Sequence, residues 1–319
     1  MRSVAMHNVP VKLVPKYFSY IWGGTQLRDT LGKNIPSDDI GESWEVSAHP
    51  KGQSLIATVS DACMPFGDYA KGESFYGAAS YEKFPLLIKL LGASGNLSVQ
   101  VHPGDDNCRP GEAGKAEAWV VLACPERAEL IYGIEGTVEE FAAAAQAGVI
   151  ESKLHRLAVK PGDVLDIPAG MVHALTAGIV AYEVQQNSDT TYRLYDWGRV
   201  DAATGKPREL HIDEALRVVR AYPGYGPVTG TVTCESNCVR TRYIGNPHFT
   251  LEKLEVTGPF VDHGHHGFAA YTAIDGSGSV WKDGAKCFDV ALGDTFVSPA
   301  AAGAVELDGR LVLLKSYVR

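Results

Sequence analysis

Three short segments carry side chains that can bind a metal ion. Gln100-Val101-His102 sets an amide and an imidazole two residues apart, on one face if the segment is extended. Glu117 follows Gly114-Lys115-Ala116 and shares the face of Trp119. His173 comes just after a tight turn at Pro168 to Gly170. Either histidine alone reads as an ordinary core or loop residue. Together, both near strand ends flanked by Gly and Pro, they read as ligands. Two imidazoles, one carboxylate and one amide oxygen suit Zn²⁺, with Fe²⁺, Mn²⁺ or Co²⁺ close behind. A single carboxylate leaves net positive charge on the ion, and an open coordination position makes it a Lewis acid. One Zn²⁺ per chain is expected.

The elements that must position these residues are short. Ala118 to Leu122, Ile179 to Val184 and Leu311 to Leu314 are apolar runs close to Gly, Pro, Asp or Asn, and read as strands. One helix is expected from Val138 to Ala147, with Thr137 and Glu140 forming a capping box and Gly148 ending it. A second is expected from Ile212 to Arg220, ended by Pro223 and Gly224. The class is mostly β with a few helices. Gly162-Asp163-Val164-Leu165-Asp166-Ile167-Pro168 is echoed by Gly293-Asp294-Thr295-Phe296-Val297-Ser298-Pro299, which suggests two small barrels in one chain. The Gly- and Pro-rich stretch 223–230 is the natural joint, giving a metal-binding domain over 1–224 and a second barrel over 225–319. Ala304 falls where the first copy has His173, so the second barrel is expected to be degenerate and without metal.

Composition narrows the partners. The 319 residues carry 29 basic and 38 acidic side chains, a net charge of −9, which disfavours nucleic acid and anionic membrane surfaces. No apolar run approaches the ~18–20 residues of a membrane span. The start, Met1 to Met6, shows no apolar leader, and the six cysteines form no Cys-x-x-Cys pair. Both point to the cytoplasm with reduced thiols. No glycine-rich nucleotide motif is present.

The spacing Gly162-x5-Pro168-x-Gly170-x2-His173 resembles the second motif of the cupin superfamily, whose barrels are jelly rolls. Longer blocks are similar to type I mannose-6-phosphate isomerases in their short bacterial form. They are Tyr20 to Gly24, Gly41 to Pro50, Phe84 to Lys89, Leu97 to Pro103, Gly114 to Trp119, and Pro168 through His173 to Gln185 and on to Asp196. On this resemblance the zinc ligands fall on Gln100, His102, Glu117 and His173, and the active-site arginine on Arg193. Ala116 and Ala118 depart from the threonine-like and cysteine residues expected beside the ligand. The second barrel resembles the family only weakly.

The resemblance implies interconversion of mannose 6-phosphate and fructose 6-phosphate through a cis-enediol, with zinc stabilising charge on the sugar oxygens. Arg193, charged at any working pH, is expected to stabilise the oxyanion. The base is sought among Lys115, Asp189, Glu183 and His49. Ser98 and Lys115 lead as phosphate ligands, with Lys89 and Arg193 behind them. Glu45 and Trp22 are expected to line the sugar pocket with Glu183. Two rivals stay open: another metal-dependent cupin isomerase of sugar phosphates, and a non-catalytic sugar-binding bicupin. The expected ligand is a small hexose 6-phosphate; the oligomeric state is not legible.

Overall fold

The computed structural model describes residues 7–57, 63–201, 204–263 and 267–318; the start at Met1 to Met6 lies outside them. Strands dominate the described residues and helices are few and short, as the apolar runs predict. Glu117–Ala123 is the central case. It sits in a six-stranded sheet between Val164–Ile167 and Val180–Gln186, followed by Leu86–Gly92, Ile40–Val46 and Lys16–Gly24. Alternate residues face opposite sides. Trp119 and Val121 point inward with Leu91 and Leu165, while Ala118 and Val120 pack outward with Leu86 and Ile88. Both faces are covered, so the run is continuously apolar rather than alternating. Trp119 is fully buried, worth roughly 1.5–3 kcal/mol for a side chain of this kind.

A five-stranded sheet lies opposite, in the order Leu154–Ala158, Glu129–Ile134, His173–Ala174, Val99–Val101 and Tyr192–Tyr195. Leu130 and Tyr132 of this sheet share one core with Trp119 and Leu165 of the other. The helix Val138–Gln146 has the expected capping box at Thr137 and Glu140. It covers the outer face of the five-stranded sheet together with Ile212–Val218. The latter helix ends earlier than the sequence suggests, because Val219 adopts an extended backbone before Pro223 is reached. No helix is long and apolar enough to cross a membrane among the described residues.

The C-terminal strands form an eleven-stranded sheet that also recruits Val11–Val14, Leu55–Ala57 and Cys63–Pro65. Val11 pairs with Val297, so the N-terminal segment stitches the two parts of the chain together. The sequence echo has a structural counterpart. Gly162 and Gly293 both take positive φ, 94° and 86°, and the aspartate after each closes the turn onto a backbone N–H, Lys160 in one case and Ala291 in the other. Each turn is bonded to a neighbouring strand in the same way, at Val121 and at Ala273. Within that register, Glu117 pairs with Ile167 and Ala269 with Ser298. The candidate ligand positions Glu117 and His173 therefore correspond to Ala269 and Ala304.

Candidate active site

Strand pairing brings the candidate ligands together. His173 lies directly opposite Gln100, and Arg193 pairs with Gln100 from the other side. The turn before His173 depends on Gly170, whose φ is 92°; a Cβ there would sit 2.7 Å from the Val218 carbonyl. His173 Nδ1 donates to the Met171 carbonyl at 2.9 Å, and His102 Nδ1 donates to the Thr190 carbonyl at 2.8 Å. These bonds fix both tautomers and leave each Nε2 free to ligate. Glu117 is fully buried. Its Oε1 is 3.1 Å from His173 Nε2 and its Oε2 is 3.6 Å from His102 Nε2.

Ligand atoms of His102, Glu117 and His173 all lie within 4.8 Å of one another. The Gln100 amide reaches the same point, its Nε2 3.3 Å from His173 Nε2; rotated about its last bond, it presents Oε1 instead. Neither Glu117 oxygen has a hydrogen bond of sound geometry, although Lys115 Nζ stands 3.0 Å from Oε2. A buried carboxylate left so is costly without a cation. Burial alone would raise the Glu117 carboxyl, but Lys115, His173 and His102 outweigh it and hold it well below the carboxylate range. Burial and the Lys115 charge push His102 well below the ordinary imidazole value. A neutral imidazole and an ionised carboxylate are the protonation states that metal ligation needs, so these residues fit a divalent ion.

Gln100 and Lys115 open onto a cavity of about 440 Å³. One wall is mixed in charge. Lys89 lies 3.1 Å from Glu183 and 3.5 Å from Glu42, and Trp119 Nε1 anchors Glu183 at 2.8 Å. Burial opposes the Lys89 charge, yet Glu183 and Glu42 outweigh it and hold its pKa above the usual lysine value. Trp22, stacked on Tyr20 at 4.8 Å, completes that side. The other end is cationic. Ser98 Oγ accepts from Arg193 Nε at 3.0 Å and from Arg208 at 2.7 Å, and donates to Asp196 at 2.9 Å. Asp196 also binds Arg199 at 2.6 Å and pairs with Arg208.

Asp189 lines the same cavity together with Lys51, which pairs with it, and His49 Nε2 stands 3.5 Å from it. Burial would raise its carboxyl; the hydrogen bond and charge of Lys51 outweigh that and keep it low. His49 itself lines an adjoining cavity. The expectation for Glu45 needs correction. It is fully buried behind the cavity wall, paired with Lys33 at 2.7 Å and accepting from Ser43 at 2.5 Å. Strand alternation puts Ser43 and Glu45 on one face, and Glu42 and Trp44 on the face that lines the cavity. Sequence reasoning missed Arg208, Glu42 and Trp44. The alternation around Trp44 was the available signal for the last two; Arg208 lies outside any recognisable motif.

Similar proteins point to a single family. The profile "Phosphomannose isomerase type I, catalytic domain" matches residues 11–123. Mannose-6-phosphate isomerase ManA of Bacillus subtilis is 36% identical over 320 residues, covering 98% of this chain and 100% of that protein. The mannose-6-phosphate isomerase of Streptococcus mutans is 34% identical, covering 97% and 98%. The crystal structure of a B. subtilis mannose 6-phosphate isomerase superposes with a TM-score of 0.90 at 33% identity, over 97% of this chain and 100% of that one. A zinc-bound mannose 6-phosphate isomerase shares the fold with a TM-score of 0.78 at 18% identity, over 98% of this chain and 100% of that one. With relatives above 30% identity along nearly its whole length, the chain belongs to the type I mannose-6-phosphate isomerase family of enzymes.

Proposed function

We propose that this enzyme interconverts mannose 6-phosphate and fructose 6-phosphate through a cis-enediol, with one Zn²⁺ per chain. The observation that carries the reading is that a single cavity joins Gln100 and Lys115, beside the ligand cluster, to Ser98, Arg193 and Arg208 at the cationic end. A phosphate dianion suits that end, because guanidinium groups bind such oxygens in paired, charge-assisted hydrogen bonds. Held by Gln100, His102, Glu117 and His173, a divalent ion supplies Lewis-acid stabilisation of the charge that develops on the sugar oxygens.

The chain's own groups do the rest. Asp189 is the carboxylate that takes the proton from C2 and returns it to C1. The Lys115 ammonium serves the oxygens, moving the second proton between O1 and O2. Arg193 adds fixed positive charge between the phosphate and the reacting carbons. Lys89, Glu183 and Glu42 hold sugar hydroxyls, and the stacked Trp22 supports the ring face. We assign this chemistry to residues 1–224 and a non-metal barrel to 225–319, a division supported by the alanines at 269 and 304.

The test is a coupled isomerase assay on mannose 6-phosphate with and without chelator. Turnover that chelation abolishes and Zn²⁺ restores supports the proposal. Activity on glucose 6-phosphate alone supports a different isomerase, and bound zinc without turnover supports a non-catalytic sugar binder.

A further inference from the structure

The Lys115 ammonium stands among the atoms assigned to the metal. Its Nζ is 3.0 Å from Glu117 Oε2 and 3.1 Å from His102 Nε2, and the side chain is buried. We propose that Lys115 holds the metal affinity of this site down, by setting its ammonium group against the ligand set. The inference rests on reading that cluster as a metal centre.

Charge arithmetic at the cluster supports it. His102, His173 and Gln100 bring no charge when they ligate, so Glu117 supplies the one negative charge of the donor set. Lys115 cancels that charge before any ion arrives. An ion coordinated by Glu117 and His102 then has an ammonium group as its next neighbour. Solvent does not screen the repulsion, because all three side chains are buried. The gain is on the substrate side. With the carboxylate already neutralised, the ion's charge is presented to the cavity that Lys115 and Gln100 line, where negative charge develops during turnover. Tight binding is given up for a stronger field.

A purely orienting role for Lys115 predicts the opposite sign. Losing an outer-shell partner that merely aims a ligand weakens binding by about 10–100-fold. The experiment titrates Zn²⁺ into the full chain, stripped by chelator, against a chromophoric competitor. Lys115→Met is expected to bind Zn²⁺ more tightly than wild type by about tenfold or more. Lys115→Arg keeps the charge and is expected to stay within about threefold of wild type. The rise in melting temperature on adding Zn²⁺ should be larger for Lys115→Met than for wild type. Unchanged or weaker binding by Lys115→Met overturns the inference while leaving the metal reading intact. A wild-type chain that takes up no Zn²⁺ overturns both. Lys115→Gln makes the same test where the methionine variant fails to fold.

Discussion

His102 and Thr190 are joined by one hydrogen bond, from the imidazole Nδ1 to the backbone carbonyl at 2.8 Å. A loop outside the proposed ligand set therefore orients the His102 imidazole. That loop is itself tied down: buried Ser188 donates to the Ala113 carbonyl at 2.9 Å and accepts from the Thr190 N–H at 3.3 Å. Ser188→Ala should release the loop and weaken Zn²⁺ binding about tenfold with little change in fold. Competition titration beside circular dichroism checks both halves of that statement.

Removing a ligand itself should do more. Glu117→Gln and His173→Ala are expected to lose metal and turnover together, by well over the ~10–100-fold of an outer-shell change. Metal content measured on the same samples as the assay is the check, and a variant that keeps full activity without metal would end the metal reading.

Arg193 and Arg208 both donate to Ser98 Oγ but should fail differently. Arg208→Ala is expected mainly to raise KM for the sugar phosphate about 10–100-fold, the cost of one charge-assisted contact. Arg193→Ala should keep its zinc while kcat falls by orders of magnitude. Steady-state kinetics separate the two, and loss of metal from Arg193→Ala would show that its role is not electrostatic.

Glu45 and Lys33 make a structural pair. Their side chains are buried and 2.7 Å apart, and Lys33 Nζ also donates to the Gly293 carbonyl at 2.8 Å. Lys33→Met strands a buried carboxylate and should cost about 3–5 kcal/mol of stability. KM should stay near the wild-type value. Denaturant melts and kinetics on one preparation test this, and a large KM effect with unchanged stability would return Glu45 to the sugar pocket.

The C-terminal sheet carries a pH-dependent contribution. Asp262 accepts from Lys315 at 2.6 Å, Tyr271 at 2.8 Å and Arg240 at 3.1 Å. Burial would raise its carboxyl, but Lys315, Tyr271 and Arg240 outweigh it and hold it far below the usual range. Burial lowers Lys315, while Asp262 keeps three donors. A depressed folded pKa stabilises above the unfolded value of ~3.9 and loses that stabilisation as pH falls below it. Asp262→Asn should be less stable at pH 7 and show a flatter decline between about pH 4 and 2. Thermal melts across that range measure the slope.

The convergence of Gln100, His102, Glu117 and His173 was legible because it leaves local marks: Gln100 and His102 share a strand face, and the turn before His173 requires Gly170. The cationic end was only half legible. Ser98 and Arg193 sit in or beside the same strands as Gln100, whereas Arg208 arrives from a turn-rich excursion with no period to read. Glu45 was misread because a motif names residues without saying which way they face. Pairing between Val11 and Val297 depends on distant segments meeting, which no local pattern records.

The repeated glycine–aspartate turn gives the molecule its own control experiment. Where the first copy is accompanied by Glu117 and His173, the second keeps the same bend and the same strand contacts with alanines in their stead. Whatever behaviour the two halves share under chelation, heat or acid belongs to the scaffold. A response to Zn²⁺ confined to the first copy is the expected mark of an ion held there.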